Sequence, residues 1–163
     1  GSTIAQGRSA WLLVDVEKLR PLRPQALTEH LPANTDMPAI QDGVQALPQR
    51  QELQSAGSRR AAYSDIDYNG HVNNARYIQW IQDMLDESVL DGANKFRLDI
   101  NYLAEIRPQE TISLWKSTIP LQEAASDGNT PFTPFEITEL WAFEGKHIDT
   151  DQSSFRAELR CGA

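Results

Sequence analysis

The hydrophobic pattern of the chain changes its period once, and this change limits the folds that the chain can adopt. Over residues 75–89 the apolar residues recur at helical spacing, which predicts one helix that stops near Gly92. From Phe96 to Tyr102 apolar and polar residues alternate, which predicts a strand. Further predicted strands cover 111–119, 135–143 and 153–161, with a hairpin candidate at Glu144-Gly145-Lys146. One helix followed by antiparallel strands is typical of the α+β class.

The chain before this helix has a different character. Residues 10–16 are apolar and β-prone, so we expect a strand there. Residues 20–50 contain five prolines, and we expect an extended connector that crosses a surface. A short strand is predicted over 58–65. The polar turn that follows it ends at Asn73 or Asn74, either of which is a good helix N-cap.

Composition excludes several kinds of partner. The net charge is −8 and the sequence pI is near 4.8, so a global basic footprint for nucleic acid is absent. Cys161 is the single cysteine, which means that no intrachain disulfide can form. No apolar run approaches the ~20 residues of a spanning helix, so no membrane span is expected. The N-terminus shows no signal-peptide pattern, and the expected compartment is the cytosol unless a targeting segment was removed.

The densest group of polar residues occupies 63–74, just ahead of the predicted helix. Asp67, Asn69 and His71 alternate, so in an extended chain their side chains project to one side. The helix N-terminus that follows offers free amides and a positive dipole end, which can stabilise an oxyanion. The residues of this predicted oxyanion region are Val72, Asn73 and Asn74. With a second carboxylate from elsewhere, the group can support acid/base catalysis in which water attacks an acyl carbon.

Two interpretations of this segment remain open. No Ser or Cys lies in a nucleophile-elbow pattern, which favours activated water over a covalent acyl-enzyme. Alternatively, the polar residues are only caps and turns, and spacing alone does not exclude this. His30 in the connector and His147 beside a predicted turn are interpreted as structural. Three scattered histidines and one distant cysteine give no zinc-ligand pattern, so no metal and no cofactor are predicted.

Residues 63–80 read Tyr-Ser-Asp-Ile-Asp-Tyr-Asn-Gly-His-Val-Asn-Asn-Ala-Arg-Tyr-Ile-Gln-Trp. They closely resemble the signature of the acyl-[acyl carrier protein] thioesterases of plants and bacteria, Asp-x-Asn-x-His-Val-Asn-Asn, two variable residues, then Tyr-Ile and a tryptophan. Residues 9–15 resemble the family's serine–tryptophan strand, and 20–24 resemble its Arg-Pro connector. Residues 101–106 resemble the strand that carries the family's catalytic glutamate, here Glu105. Strand alternation places Glu105 opposite to Tyr102 unless a bulge re-aims it.

The resemblance implies the hot-dog fold, in which an antiparallel sheet wraps around a central helix. It also implies two tandem hot-dog domains, of which this chain holds mainly the C-terminal, catalytic one. We therefore predict that residues 1–19 are the final strand region of an otherwise missing N-terminal hot-dog domain. Residues 20–56 are predicted to be the connector, and 57–163 the C-terminal hot-dog domain. In the family the first domain lines the acyl pocket, so acyl-chain length cannot be read, and the activity of the isolated chain stays open.

The resemblance further implies release of free fatty acid from acyl-[acyl carrier protein]. The implied catalytic residues are Asp67, Asn69, His71 and Glu105, with either His71 or Glu105 as the base. Ile106 stands where plant members often have a cysteine, which excludes a mechanism that uses that cysteine. Acyl carrier proteins are acidic, so docking on this acidic chain needs a local basic patch. The candidate basic contacts are Arg59, Arg60, Arg76, Lys95, Arg97 and Arg107.

Related functions remain as alternatives. A hot-dog hydrolase of acyl-coenzyme A shares the chemistry and differs in the docking surface. A non-catalytic hot-dog module that binds acyl groups belongs to another class, although all four polar positions are present. A dehydratase of the same fold ranks lower, because its motif normally lacks this helix signature. We also predict that the domain pairs with another hot-dog domain, as a homodimer or in tandem, and a removed plastid transit segment stays open.

Overall fold

The chain divides into two compact units, Gly1–Gln45 and Ala46–Ala163. The computed structural model describes residues 2–11, 13–15, 17–18, 20–23, 25, 39–40, 42–122 and 133–163. Because the two units are separate bodies, each is treated by itself.

The first unit contains little regular structure in its described residues. Val14 and Pro21 form an isolated antiparallel bridge. Among the described residues of 10–16, only Val14 is paired as in a sheet, so the strand predicted for this segment is wrong. Much of the connector predicted over 20–50 lies outside the described residues.

The second unit is built on one five-stranded antiparallel sheet. Its strands are β1 (Gln54–Arg60), β2 (Lys95–Tyr102), β3 (Thr111–Thr118), β4 (Ile137–His147) and β5 (Ser153–Gly162). The order across the sheet is β1-β3-β4-β5-β2, and every neighbouring pair is antiparallel. This arrangement confirms the predicted α+β class and leaves β1 and β2 at the two edges.

The helix predicted over 75–89 is in fact two helices. The first, α1, covers Asn74–Asp83, and the second, α2, covers Glu87–Gly92. Two features favour the break. Asp86 takes the extended conformation of an N-cap and starts α2, and the Lys116 ammonium donates to the Met84 carbonyl where α1 ends. The apolar period runs through both helices, which is why the sequence did not show the break.

The other misplaced boundaries have local causes. The hairpin candidate at Glu144-Gly145-Lys146 is wrong, because β4 continues to His147 and the turn follows it. Gly145 is instead a point of close approach, since a Cβ there would lie 2.2 Å from Cε1 of Phe155. The strand predicted over 58–65 is also displaced, because β1 ends at Arg60 and residues Tyr63–Asp65 form a 3₁₀ turn.

The core lies between α1 and the inner face of the sheet. Helix α1 buries Tyr77, Trp80 and Ile81, which recur at helical spacing on one side. Strand β5 meets them with alternate residues, the largest of which, Phe155, is fully buried. Burying a large apolar side chain contributes about 1.5–3 kcal/mol, so a few such residues fix the helix against the sheet.

The outer face of the sheet carries buried charged residues. Glu158 and Arg160 alternate with the core residues of β5 and are only 4% and 3% exposed. The chain before β1 crosses this face, where the Leu47 amide donates to the Asn101 side chain at 2.7 Å. We call the ion-paired group on this face the outer-face cluster. Its members are Arg50, Arg97, Asp99, Glu158 and Arg160.

Candidate active site

The segment that carries Asp67 and His71 is a closed turn rather than an extended strand. Ile66 and Val72 form an antiparallel bridge, and the Asp67 amide donates to the His71 carbonyl at 2.9 Å. Gly70 has φ +83°, a left-handed conformation that glycine adopts without strain. The prediction that alternation in an extended chain aligns these side chains is therefore wrong, and the turn brings its two ends together instead.

The turn places the Asp67 carboxylate beside the His71 ring. The distance from Asp67 Oδ1 to His71 Nδ1 is 3.7 Å, and both side chains are partly accessible to solvent. This separation is too long for a hydrogen bond, although it allows an ion pair when the imidazole is protonated. The same carboxylate oxygen accepts from the Asn69 amide at 2.8 Å, so Asp67 stabilises the turn as well.

Asn69 lies at the exposed tip of the turn. Its backbone amide is used in the turn, and its side chain makes no hydrogen bond within the described part of the chain. Asn69 makes no hydrogen bond to His71 within the described residues. The Asn69 amide group therefore faces outward, where a ligand can reach it.

Helix α1 begins directly after the turn, and its first amides are largely occupied. Asn73 is the N-cap, and its side chain accepts from the Ala75 amide at 2.9 Å. The Val72 amide donates to the Ile106 carbonyl at 2.8 Å, and the Asn73 amide donates to the Asp65 carbonyl at 2.9 Å. Of the predicted oxyanion region, only the Asn74 amide has no hydrogen-bond acceptor among the described residues. Asn74 is therefore the backbone donor that remains available at this helix terminus.

Glu105 lies beyond the end of β2 and is held next to the turn by the backbone. The amides of Leu103 and Ala104 both donate to the Ser154 carbonyl, which ends the strand. The Val72 amide then donates to the Ile106 carbonyl, so the residues after His71 and after Glu105 run side by side. Because Glu105 is not part of β2, the predicted alternation with Tyr102 does not apply to it. Its side chain is 63% exposed and lies 3.9 Å from Arg107.

Two residues near the site make contacts that the sequence does not reveal. Tyr77 is buried on α1. Burial is the main cause that raises the pKa of its hydroxyl, and the nearby Tyr102, Glu105 and Asp67 raise it further. Arg76 donates to the Ser64 carbonyl at 2.9 Å and so fastens the 3₁₀ turn to α1. Tyr77 belongs to the apolar stripe of the helix, and that pattern alone predicts only a core residue.

Within the part of the chain that the structure describes, the single cysteine and the possible metal ligands form no second site. Cys161 is buried on the inner face of β5, and burial is the main cause that raises the pKa of its thiol, so it is a poor nucleophile. Among the residues that the structure describes, no group of three or more His, Cys, Asp or Glu side chains is arranged to hold a metal ion. Within the same residues, no helix is both long enough and apolar enough to cross a membrane.

Residues 49–154 match the family model described as the acyl-ACP thioesterase C-terminal domain. The chain belongs to this family. An acyl-[acyl-carrier-protein] hydrolase FATB2 of Cuphea viscosissima, named as chloroplastic, is 29% identical over 111 residues, which cover 64% of the chain and 27% of that protein. A chloroplastic palmitoyl-acyl carrier protein thioesterase of Cuphea hookeriana is 27% identical over 111 residues, with the same coverage. The chain thus spans about a quarter of the length of these relatives.

Two solved structures of named acyl-ACP thioesterases share the fold of this family member. The enzyme of Bacteroides thetaiotaomicron gives a TM-score of 0.53 at 20% identity, covering 90% of the chain and 52% of that structure. The 12:0-ACP thioesterase of Umbellularia californica gives 0.54 at 13% identity, covering 90% and 51%. Together with the five-stranded antiparallel sheet, these likenesses confirm the predicted hot-dog fold.

Proposed function

We propose that the protein hydrolyses the thioester of a fatty acyl group carried by acyl carrier protein. Membership of the acyl-ACP thioesterase family supports this reaction. The observation that carries the proposal is the hydrogen bond between the Val72 amide and the Ile106 carbonyl. It holds the segments of His71 and Glu105 side by side, in front of the N-terminus of α1.

In the proposed reaction a water molecule attacks the thioester carbon. His71 or Glu105 removes a proton from this water, since imidazole and carboxylate groups are the side chains that most often act as general bases. Asp67 is close enough to stabilise a protonated His71 ring. The Asn74 amide, at the positive end of α1, donates to the oxyanion. The thiolate of the carrier then leaves, with the exposed Asn69 side chain in contact with substrate.

The predicted basic patch becomes smaller in three dimensions. Arg97 is 12% exposed and bound to Asp99 at 3.0 Å, so it belongs to the outer-face cluster rather than to a docking surface. Arg107 is 72% exposed and lies beside Glu105. Arg60, at the end of β1, donates to the carbonyl of Gln109, two residues after Arg107. We propose that Arg60 and Arg107 contact the acidic carrier next to the site.

Pairing with another hot-dog domain and the compartment are also part of the proposal. Among the described residues, strands β1 and β2 each pair on one side only, so either edge can accept another strand. We propose that a second hot-dog domain, in tandem or from another copy, completes the acyl pocket. We further propose that the protein acts in the cytosol, or in a plastid as do the relatives named chloroplastic.

Substitution of the two candidate bases in the complete natural protein tests the reaction. We expect His71→Ala and Glu105→Ala each to lower the release of fatty acid from acyl-ACP by about 10²–10⁴-fold, the usual cost of losing a general base. Cys161→Ala is the control and should leave turnover nearly unchanged, because the buried thiol takes no part. Full activity in both folded variants, or a trapped acyl-enzyme, would refute the proposal.

The carrier is tested by comparing kcat/KM for the same acyl group on acyl carrier protein and on coenzyme A. A preference for the protein carrier that falls when Arg60→Glu and Arg107→Glu are combined supports docking at this surface. Equal kcat/KM on both carriers would instead favour the acyl-CoA hydrolase. No turnover of either carrier by the folded protein would favour the acyl-binding module.

A further inference from the structure

Tyr77 occupies the point at which the two segments of the candidate active site meet. It lies four residues after the N-cap of α1 and is 3% exposed. Its ring contacts Tyr102 edge-on, with centroids 5.1 Å apart, and contacts Phe155 in the same way at 5.3 Å. These contacts fix the ring between the helix that follows His71 and the strand that leads to Glu105.

The neighbouring Tyr102 ties the same two segments together. It is the last residue of β2, three positions before Glu105. Its hydroxyl donates to the carbonyl of Asn74, the first residue of α1, at 3.3 Å. The ring of Tyr77 is therefore held from the helix side and from the strand side, and its position is determined by both.

The hydroxyl of Tyr77 is a protonated donor without an acceptor. Burial, together with the nearby Tyr102, Glu105 and Asp67, raises its pKa, so the proton remains bound at neutral and moderately alkaline pH. No described residue accepts a hydrogen bond from it. The hydroxyl oxygen is not among the fully enclosed unpaired atoms of the described residues, so an incoming acceptor can reach it. A carboxylate is the side-chain acceptor that forms the strongest bond with a neutral donor.

We propose that Tyr77 is a positioning residue whose hydroxyl donates a hydrogen bond to the Glu105 carboxylate when substrate is bound. This inference rests on the proposed thioesterase reaction and adds a residue to it. The Glu105 side chain is largely exposed, and its ion pair with Arg107 is long at 3.9 Å. A bond from the rigid Tyr77 selects one orientation of a mobile carboxylate, which is the function of a supporting residue around a catalytic group.

The purely structural alternative is that Tyr77 only fills the core. Tyr77→Phe separates the two roles, because phenylalanine keeps the ring and its contacts while removing the hydroxyl alone. We expect Tyr77→Phe in the complete natural protein to lower kcat on acyl-ACP by about 10-fold, the order expected for one hydrogen bond to a charged group, while KM stays unchanged. The matched control is Tyr63→Phe, at a tyrosine of the same motif that is 91% exposed, and it should leave kcat unchanged.

A double-mutant cycle then asks whether Tyr77 acts through Glu105. In a Glu105→Ala background, Tyr77→Phe should have no further effect on the residual rate, because the acceptor is gone. An unchanged kcat in the single Tyr77→Phe variant overturns the inference. The same loss in both backgrounds also overturns it, since Tyr77 would then act elsewhere. If His71→Ala and Glu105→Ala themselves keep full activity, the proposed reaction fails first, so the two failures are distinguishable.

Discussion

The second unit contains two groups of charged side chains that are held in opposite ways. In the outer-face cluster, Glu158 contacts Arg50 and Arg160 at 2.8 Å each. In the candidate active site the shortest charged contacts are 3.7 Å, between Asp67 and His71, and 3.9 Å, from Glu105 to an arginine. Glu158 and Arg160 of the first group are buried, whereas the Glu105 side chain of the second is 63% exposed.

The difference shows where each group obtains its support. Side chains of the outer-face cluster form ion pairs with one another, so their charges are engaged within the fold rather than offered to a ligand. The site is supported instead by backbone hydrogen bonds, such as those from Asp67 to His71 and from Val72 to Ile106. Its side-chain groups therefore remain available for substrate. Three measurements test this difference between the outer-face cluster and the site.

The largest effect on stability is expected from Glu158→Ala. This change removes the carboxylate shared by the buried Arg160 and the partly buried Arg50. Removing one partner of a buried ion pair typically costs 3–5 kcal/mol, and we expect about 3 kcal/mol because Arg160 keeps Asp99. Urea unfolding of the 163-residue chain measures this loss.

The matched control for that experiment is Asp149→Ala, at an exposed acidic residue of the turn after β4. It should change the free energy of unfolding by no more than about 0.5 kcal/mol. A similar, small effect of Glu158→Ala would mean that the outer-face cluster does not support the fold, and the contrast with the site would be lost.

A smaller effect on stability is expected at alkaline pH, and it concerns Tyr77 beside the candidate active site. The pKa of Tyr77 is raised in the folded chain, mainly by burial, whereas in the unfolded chain it is about 10. The folded state thus keeps a proton that the unfolded state loses, so this stabilisation is complete below pH ~10 and declines as pH rises towards the folded pKa. The decline is at most about 1.4 kcal/mol per pH unit.

Comparison of the parent chain with Tyr77→Phe isolates this contribution. We expect the variant to lose less stability between pH ~9 and ~11, measured as the midpoint of urea unfolding. The thiol pKa of Cys161 is also raised by burial, so the free energy of unfolding begins to decline near pH ~8.5. This decline is the same in both proteins, because both contain Cys161. An identical pH dependence in the two proteins would show that the Tyr77 hydroxyl is solvated.

The smallest effect on stability is expected at the backbone of the site. Gly70→Ala places a side chain at φ +83°, and the new Cβ meets no atom within 4 Å, so the cost is conformational and about 1 kcal/mol. Fatty acid release should fall by more than this loss explains, because the turn orients Asp67 and His71. Gly92→Ala, where φ is not positive and the space is also open, is the control and should leave release unchanged. Equal release by both variants would mean that the turn geometry does not matter.

The sequence predicts the class of fold better than its boundaries. The switch from helical to alternating spacing at Phe96 correctly predicts a helix followed by antiparallel strands. It does not reveal the break at Met84, which depends on Lys116 from β3, a contact between residues far apart in the chain. It misassigns Gly145 to a turn for the same reason, because the Phe155 ring that excludes a side chain there lies on another strand.

The candidate site shows the same limit. The residues Asp67 and His71 were predicted to lie together, and they do, but through a closed turn rather than an extended chain. Among the described residues the backbone amide of Asn74 has no acceptor, whereas that of Val72 is taken up by Ile106, which lies outside the motif. Tyr77 was missed because its helical spacing is that of any core residue, and only packing reveals its neighbours. The catalytic roles themselves stay predictions.

The break between α1 and α2 also determines how the second unit can open. Helix α2 has six residues, none of them fully buried, whereas α1 buries three. Amide protons in α2 can therefore exchange through local unfolding that leaves α1 intact. Such opening lies at the end of the helical region remote from His71, so it leaves the N-terminus of α1 in place.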